Sequence, residues 1–208
     1  MKRPFFTVVI ASYNRALLVK RAIESLLVQT ETNWEAIIID DGSSDDTAFQ
    51  IVPFLRLNRN IEYIYQDNKG AGTSKNTGIF KAKGEFITFL DSDDEYLPEH
   101  LSSRKEILLN NPSLSFLHGG IKIIGNEYVP DRFDHQKKVH LSQCVIGGTF
   151  FVRNELAQKL KGFRKIDFGS DADFFERISQ TGIEMRKLDL PTYVYHRNQP
   201  DSVTNTLM

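Results

Sequence analysis

Short apolar runs alternate with amphipathic segments through the first half of the chain. Nearly continuous apolar stretches predict buried strands at 5–11, 34–39, 61–65 and 86–90. Between them, apolar positions spaced along one helix face predict helices at 16–29, from 45 or 46 to 55, and from the Gly70 region to 83. Strands that alternate with helices in this way are typical of an α/β fold with a mostly parallel sheet.

The second half of the chain has a weaker pattern. A helix is predicted at 99–110 and another at 171–180, where acidic residues favour the helix start. Weak alternation predicts β-structure with a turn at 115–128 and strands at 144–152 and 188–196. The polar segment 129–143 is either a mobile loop or a solvated connector.

Polar residues follow each of the four predicted strands of the first half. Open α/β sheets bind ligands outside the carboxyl ends of their strands, and right-handed crossovers bring those ends to one edge. The sequence therefore predicts a binding site built from Ser12-Tyr13-Asn14, Asp40-Asp41-Gly42, Asp67-Asn68 and Asp91-Ser92-Asp93.

Three carboxylates crowd the end of the fourth strand, at Asp91, Asp93 and Asp94. Carboxylates this close must face water, be protonated or share a hard cation. A solvated acidic turn is one interpretation, because Asp and Ser favour turns. The presence of polar residues at all four strand ends favours the second interpretation, a site for Mg²⁺ or Mn²⁺.

Length and charge narrow the class of protein. The 208 residues predict one large domain, and a single cysteine, Cys144, excludes an internal disulfide. Lys and Arg total 26 against 27 Asp and Glu, so no nucleic-acid partner is expected.

No apolar run approaches the roughly 18 residues of a spanning helix. We expect a cytoplasmic protein, with peripheral contact at the inner face of the membrane left open.

Several well-known motifs are missing from the sequence. Gly70-Ala71-Gly72 lacks the third glycine of a dinucleotide fingerprint and follows the third strand rather than the first. There is no P-loop, no Gly-x-Ser-x-Gly elbow and no His-Glu-x-x-His helix. The sequence therefore contains no motif that would support acyl-transfer or metalloprotease chemistry.

Four segments together resemble an inverting family 2 glycosyltransferase of the GT-A fold. The resemblance covers the first half closely and continues more loosely to 163–177. The segments are Phe6-Thr-Val-Val-Ile-Ala-Ser-Tyr-Asn-Arg15, Ile37-Ile-Ile-Asp-Asp-Gly-Ser-Ser-Asp-Asp-Thr47, Gly70-Ala-Gly-Thr-Ser-Lys-Asn-Thr-Gly78 and Phe89-Leu-Asp-Ser-Asp-Asp94.

This resemblance implies roles on the donor side. The Ala11 backbone, Tyr13 and Asp41 are expected to hold a pyrimidine base, the carboxylate accepting from its imide N–H. Lys75 is expected near ribose, phosphate or the acidic strand ends, although a solvated helix lysine is the plain alternative.

The Asp-x-Asp pair is expected to hold the cation and the donor. Asp93 is assigned as the direct ligand of Mn²⁺ or Mg²⁺, with Asp91 as a ribose contact or second ligand. Ser92 is placed with the donor-binding residues, and Asp94 is expected only to support them.

The acceptor side rests on Asp171, the expected catalytic base. Family members often carry a Glu-Asp pair here, whereas this chain has Ser170-Asp171. Asp171 and Asp173 could instead cap the helix that they open. His196 is a candidate metal ligand, although a lone histidine at a strand end more often only makes hydrogen bonds.

The expected protein is one GT-A domain over 1–208, with a donor-binding half at 1–97 and an acceptor half at 98–208. It would move a sugar from a nucleotide-diphosphate sugar, with a UDP-sugar expected, to a glycan or lipid-linked saccharide in cell-surface polysaccharide, lipopolysaccharide or glycan synthesis. Three alternatives stay open: a haloacid-dehalogenase-like phosphatase using Asp91 and Asp93, a sugar-phosphate nucleotidyltransferase, and a nucleotide-sugar-binding protein without turnover.

Overall fold

The computed structural model describes residues 3–166 and 168–198, in which twelve strands and six α-helices are assigned. The strands are β1 (Phe6–Ser12), β2 (Trp34–Asp40), β3 (Ile61–Tyr65), β4 (Phe86–Phe89), β5 (Glu95–Tyr96), β6 (Leu114–His118), β7 (Ile121–Gly125), β8 (Tyr128–Pro130), β9 (Lys138–His140), β10 (Phe151–Arg153), β11 (Glu184–Lys187) and β12 (Tyr193–Arg197). The helices are α1 (Ala16–Leu27), α2 (Thr47–Leu57), α3 (Ala71–Lys81), α4 (His100–Asn110), α5 (Asn154–Lys159) and α6 (Ser170–Ser179).

A seven-stranded sheet in the order β11-β6-β10-β4-β1-β2-β3 forms the centre of the described fold. β1, β2, β3 and β4 pair in parallel, and β10 runs antiparallel between β4 and β6. The carboxyl ends of β1, β2, β3, β4 and β6 therefore meet at one edge. A smaller sheet, β5-β12-β7, and the β8–β9 hairpin complete the described strands.

Both faces of the large sheet are covered, as the continuous apolar runs predict. Val8 and Ile10 of β1 pack on one face with Ile23 of α1. Val9 points to the other face, where it joins Ile79 of α3 and Phe174 of α6. The α/β fold and the strand positions predicted in the first half are confirmed.

The prediction of a strand over 144–152 is wrong. Short 3₁₀ turns occupy Leu141–Gln143 and Gly147–Thr149, and only Phe151–Arg153 is extended. The physical reason is the glycine pair, which weakens a strand and here packs against side chains from elsewhere in the chain.

Other elements of the second half differ in their pairing. The strands predicted within 115–128 exist as β6 and β7, but they join different sheets and do not pair with each other. Segment 129–143 contains most of the β8–β9 hairpin rather than a featureless connector. α5 and β11 were not predicted, since both are short and β11 is mostly exposed. Within the described ranges, no helix has the length and apolar character needed to cross a membrane.

Candidate active site at the carboxyl edge of the sheet

The acidic segment after β4 forms a tight turn fixed to β12. The Asp94 N–H donates to the Asp91 carbonyl at 3.0 Å. The Asp94 side chain is fully buried and accepts from the Tyr193 hydroxyl at 2.6 Å and from the His196 N–H at 2.8 Å. Asp94 therefore anchors the turn, while Asp91 and Asp93 remain partly exposed at its surface.

Lys75, in α3, contacts the acidic turn that follows β4. Its Nζ lies 2.7 Å from Asp91 Oδ1, and it also lies over the rings of Phe89 and Phe163, 5.9 Å and 5.6 Å from their centroids. Burial by itself would lower the pKa of Lys75, but the negative charges of Asp91 and Asp171 outweigh it and raise that pKa. Lys75 is thus a buried, permanent cation, and the alternative of a solvated helix lysine is wrong.

Asp171 approaches the same centre from the first turn of α6. Its Oδ2 accepts a hydrogen bond from the Gly147 N–H at 2.9 Å. A Cβ built on Gly147 would lie 2.5 Å from Oδ1, so only glycine allows this approach. No side chain caps α6, whose preceding residue, Gly169, has a left-handed backbone (φ 82°). Asp171 is therefore held by the Gly147 turn and does not act as a helix cap.

Asp173, two residues later, forms ion pairs with two arginines. Its carboxylate pairs with Arg177 at 2.8 Å and with Arg164 at 3.2 Å. These ion pairs hold the loop before α6 against the helix, so Asp173 is structural.

Two site carboxylates, Asp93 and Asp171, have a pKa raised above the ordinary value. Burial raises the pKa of Asp93, and the neighbouring charge of Asp91 raises it further. Burial also raises the pKa of Asp171, although the Lys75 charge and the Gly147 N–H oppose the rise. The pKa of each of these carboxylates should therefore fall when a cation binds beside it and rise when a neighbouring cation is removed.

The ends of β1 and β2 form the adjoining part of the edge. Asp41 Oδ1 accepts from the Gln66 amide at 2.7 Å, and its Oδ2 accepts from the Gly70 N–H at 2.8 Å. Burial would raise the pKa of Asp41, but these hydrogen bonds outweigh it and lower the pKa. Asp41 thus stays ionised and orders the loop that begins α3.

Tyr13 and Ala11 lie beside this loop. The Ser12 carbonyl accepts from the Asp41 N–H at 2.8 Å, which fixes the end of β1 against the end of β2. Ala11 is partly buried in β1, and the Tyr13 side chain is 49% exposed. An aromatic face is therefore available to solvent next to Asp41.

His196 is turned toward Glu95. Its Nε2 lies 2.6 Å from Glu95 Oε1, and Glu95 also lies 3.3 Å from Arg21 Nε. The Arg21 guanidinium in turn donates to the Asp93 carbonyl. The structure thus gives the His196 imidazole a carboxylate partner, and its role as a metal ligand stays a prediction.

Residues 7–169 match the pattern of the family described as "Glycosyl transferase family 2". The chain belongs to glycosyltransferase family 2. It is 36% identical over 149 residues to the UDP-Glc:alpha-D-GlcNAc-diphosphoundecaprenol beta-1,3-glucosyltransferase WfgD of Escherichia coli, a match that covers 68% of this chain and 56% of the relative. It is 30% identical over 135 residues to the putative teichuronic acid biosynthesis glycosyltransferase TuaG of Bacillus subtilis, covering 64% and 53%. The chain thus spans about half the length of these two relatives.

Solved structures share the fold of this family 2 chain. Residues 1–349 of Staphylococcus aureus TarS, in complex with UDP-GlcNAc, align with a TM-score of 0.80 at 21% identity, covering 95% of this chain and 60% of that one. The mannosyltransferase PcManGT from Pyrobaculum calidifontis, in complex with GDP-Man and Mn²⁺, aligns with a TM-score of 0.74 at 19% identity, covering 98% and 59%. The fold is therefore GT-A. Neither the phosphatase nor the nucleotidyltransferase alternative agrees with the family match.

The carboxylates of this family 2 chain fit a divalent cation of the kind that nucleotides bring with them. Within 3–166 and 168–198, no three His, Cys, Asp or Glu side chains converge into an all-protein metal cage. Such a cage is not needed, because Mg²⁺ at nucleotide sites takes one or two carboxylates and draws its other ligands from phosphates and water. Asp93 and Asp91 would supply that donor set. Burial first, and then the charge of Asp91, raises the pKa of Asp93, and a cation would relieve the repulsion between the two carboxylates.

Sequence reasoning missed several residues that shape this family 2 site. Tyr193, Arg21 and Gln66 position the acidic turn or the Asp41 loop through long-range contacts. No local pattern marks them, since Tyr193 meets Asp94 across 99 positions. The absence of side chains at Gly147 and Gly148 lets Asp171 and Tyr193, respectively, approach the backbone closely.

Proposed function

We propose that this chain is the donor-binding and catalytic part of an inverting, metal-dependent glycosyltransferase. It would transfer a sugar from a UDP-sugar to an acceptor hydroxyl in cell-surface polysaccharide synthesis. The observation that carries this proposal is the position of Lys75, whose ammonium is paired with Asp91 and lies in the field of Asp171. The expected donor-side and acceptor-side carboxylates therefore belong to one centre.

Asp171 is the proposed base. A general base needs to be ionised at working pH and strong enough to take a proton from the reacting hydroxyl. Burial raises the pKa of Asp171, which makes the carboxylate a stronger proton acceptor, while Lys75 and the Gly147 N–H limit the rise. Asp171 would deprotonate the acceptor hydroxyl as its oxygen attacks the anomeric carbon. A single displacement of this kind inverts that carbon.

The leaving nucleoside diphosphate departs on the opposite side, where Asp91 and Asp93 are the proposed holders of a Mn²⁺ or Mg²⁺ ion. When bound, that ion supplies charge stabilisation to the diphosphate oxygens. Lys75 orients Asp91 for this purpose through their 2.7 Å ion pair. Tyr13 and the Ala11 backbone are the proposed contacts of the pyrimidine base, with Asp41 accepting from its imide N–H while holding the Gln66–Gly70 loop.

The comparisons support the proposed substrate classes. The name of WfgD specifies a UDP-sugar donor and a lipid-linked diphosphate acceptor, and TarS was solved with UDP-GlcNAc. TuaG is named for the synthesis of a cell-wall polymer. For this chain we therefore propose a UDP-sugar donor and a glycan or lipid-linked saccharide acceptor, met at the surface of the membrane.

Calorimetric titration with UDP tests the donor site. We expect binding that requires Mn²⁺, that is lost in EDTA and that is strongly weakened in Asp93→Ala. Binding that is equally tight in EDTA would overturn the metal assignment. Glu106→Gln, which removes an exposed carboxylate from α4, is the control and is expected to bind UDP as the parent does.

Donor turnover tests the base. Hydrolysis and transfer are measured with UDP-glucose and UDP-GlcNAc, using water and a synthetic GlcNAc-diphosphate-alkyl acceptor. We expect Asp171→Asn to retain UDP binding and to lose turnover by two orders of magnitude or more, about the range of a general base. UDP binding without any turnover in the parent would favour the nucleotide-sugar-binding protein instead.

A further inference from the structure

An exposed surface of basic and apolar side chains flanks the helix that carries Asp171. It consists of the loop 131–137 between β8 and β9 and the segment 159–166 before α6; we refer to it as the basic apolar surface. Phe133, in the β8–β9 loop, is 87% exposed, and Ile166 is 40% exposed. Large apolar side chains this open to water are suited to contact with an apolar phase.

Two ion pairs fix both parts of this surface to α6. Arg132 of the loop pairs with Glu176 at 2.8 Å, and Arg164 of the segment pairs with Asp173 at 3.2 Å. The ring of His135 also packs edge-on against Phe168. Asp171 lies in the first turn of the same helix, so both parts of the surface contact the helix that carries the proposed catalytic base.

Three lysines of the basic apolar surface are exposed and make no ion pair with any described residue. They are Lys159, Lys161 and Lys165. Of the acidic residues in the loop 131–137, Asp134 pairs with Lys137 at 3.1 Å, and Asp131 accepts from the backbone N–H groups of Phe133 and Asp134. The exposed Phe133 and Ile166 are therefore accompanied by free ammonium groups.

We propose that the basic apolar surface docks this protein on an anionic phospholipid bilayer. Phe133 and Ile166 would enter the headgroup boundary, and the free lysines would meet the lipid phosphates. An aromatic ring beside cationic side chains is the composition that binds such interfaces. The inference rests on the proposed function in one respect, since docking here would present Asp171 to an acceptor held in the membrane.

Co-sedimentation with vesicles tests the proposal on the whole chain. Vesicles of phosphatidylcholine containing phosphatidylglycerol are compared with pure phosphatidylcholine vesicles. We expect binding to the anionic vesicles that falls as salt is raised. Phe133→Ser should lower the partition coefficient about tenfold, the effect of exposing one buried aromatic ring. The double variant Lys161→Gln/Lys165→Gln should lower it about thirtyfold.

A matched control lies at the end of α2, at the opposite edge of the sheet. Leu57 there is 82% exposed, and Arg56 and Arg59 beside it are exposed too. Leu57→Ser and Arg56→Gln/Arg59→Gln remove a comparable apolar group and the same two charges, and we expect vesicle binding to stay at the parental level. Equal losses in the control variants, or no binding to anionic vesicles, would overturn the proposal.

Titration with UDP separates this inference from the proposed function. Phe133→Ser is expected to keep the parental affinity for UDP and the parental rate of UDP-sugar hydrolysis in solution, which also shows that it folds. Vesicle binding by a parent that does not bind UDP would refute the proposed function alone. UDP binding and turnover with no vesicle binding would refute the docking surface alone.

Discussion

Lys75 Nζ lies 2.7 Å from Asp91 Oδ1 in the interior of the site, and the same ammonium stabilises the charge of Asp171. One cation thus serves two carboxylates that reach it from β4 and from α6. Lys75 thus links the donor-side carboxylate to the acceptor-side carboxylate through its charge, and several variants can test this link.

Lys75→Met removes the cation and leaves Asp91 without its partner. Breaking a buried ion pair by removing one side costs several kcal/mol, and the partial exposure of Asp91 reduces this to a loss of about 2 kcal/mol in the free energy of unfolding. Urea unfolding measures it. The double variant Lys75→Met/Asp91→Asn should recover part of the loss, whereas strictly additive effects would contradict the pairing.

The pH dependence of turnover should also respond to Lys75. Lys75 holds down the raised pKa of Asp171, so Lys75→Met raises that pKa further and moves the acid limb of the kcat profile to higher pH. The measurement is a pH–rate profile at saturating donor. Lys83→Met, which removes an exposed lysine just after α3, should leave the limb in place. A shift to lower pH in Lys75→Met would contradict the coupling.

Asp171→Asn should gain stability while it loses turnover. A carboxyl whose folded pKa is raised above 3.8 opposes folding once it ionises, and this penalty is absent at pH values below 3.8. The free energy of unfolding of Asp171→Asn should therefore exceed that of the parent at neutral pH. The difference should shrink as the pH falls toward 3.8, and a difference that is constant with pH would refute this explanation.

Gly147→Ala places a methyl group against the Asp171 carboxylate. The Cβ would lie 2.5 Å from Oδ1, so the carboxylate must move. Displacement of a catalytic group by about 1 Å costs on the order of a hundredfold in rate, and we expect that loss in kcat with UDP affinity retained. Gly72→Ala is the control, since its nearest neighbour would be an ordinary 3.6 Å away. Parental kcat in Gly147→Ala would argue against Asp171 as the base.

Tyr193→Phe removes the hydroxyl that donates to the buried Asp94 carboxylate at 2.6 Å. Loss of a donor to a buried acceptor costs about 1–3 kcal/mol, and the turn carrying Asp91 and Asp93 should loosen. We expect a lower free energy of unfolding and weaker UDP binding in Mn²⁺. Tyr195→Phe is the matched control, because the Tyr195 hydroxyl makes no hydrogen bond to any residue in 3–166 or 168–198. Equal effects of the two substitutions would contradict the role of the Tyr193 hydroxyl.

Prediction from sequence succeeded where the signal is local. Strands β1 to β4 are continuous apolar runs, and burial on both faces of a sheet leaves that signature directly in the sequence. The acidic end of β4 was visible for the same reason, since Asp91, Asp93 and Asp94 are adjacent. Prediction from sequence failed at 144–152. The apolar residues there resemble a strand, but Gly147 and Gly148 form a turn that packs against Asp171 and Tyr193.

The sequence by itself determined the α/β alternation, the parallel arrangement of the first four strands and the family, because these depend on periodicity and on motifs of neighbouring residues. Only the tertiary structure decided that Lys75 is a buried cation, that Asp171 is held by the Gly147 N–H, and that Asp94 is an anchor for β12. These relationships join residues 16 to 99 positions apart along the chain. Their distances and burial arise from the packing of β4, α3, α6 and β12, which no local pattern encodes.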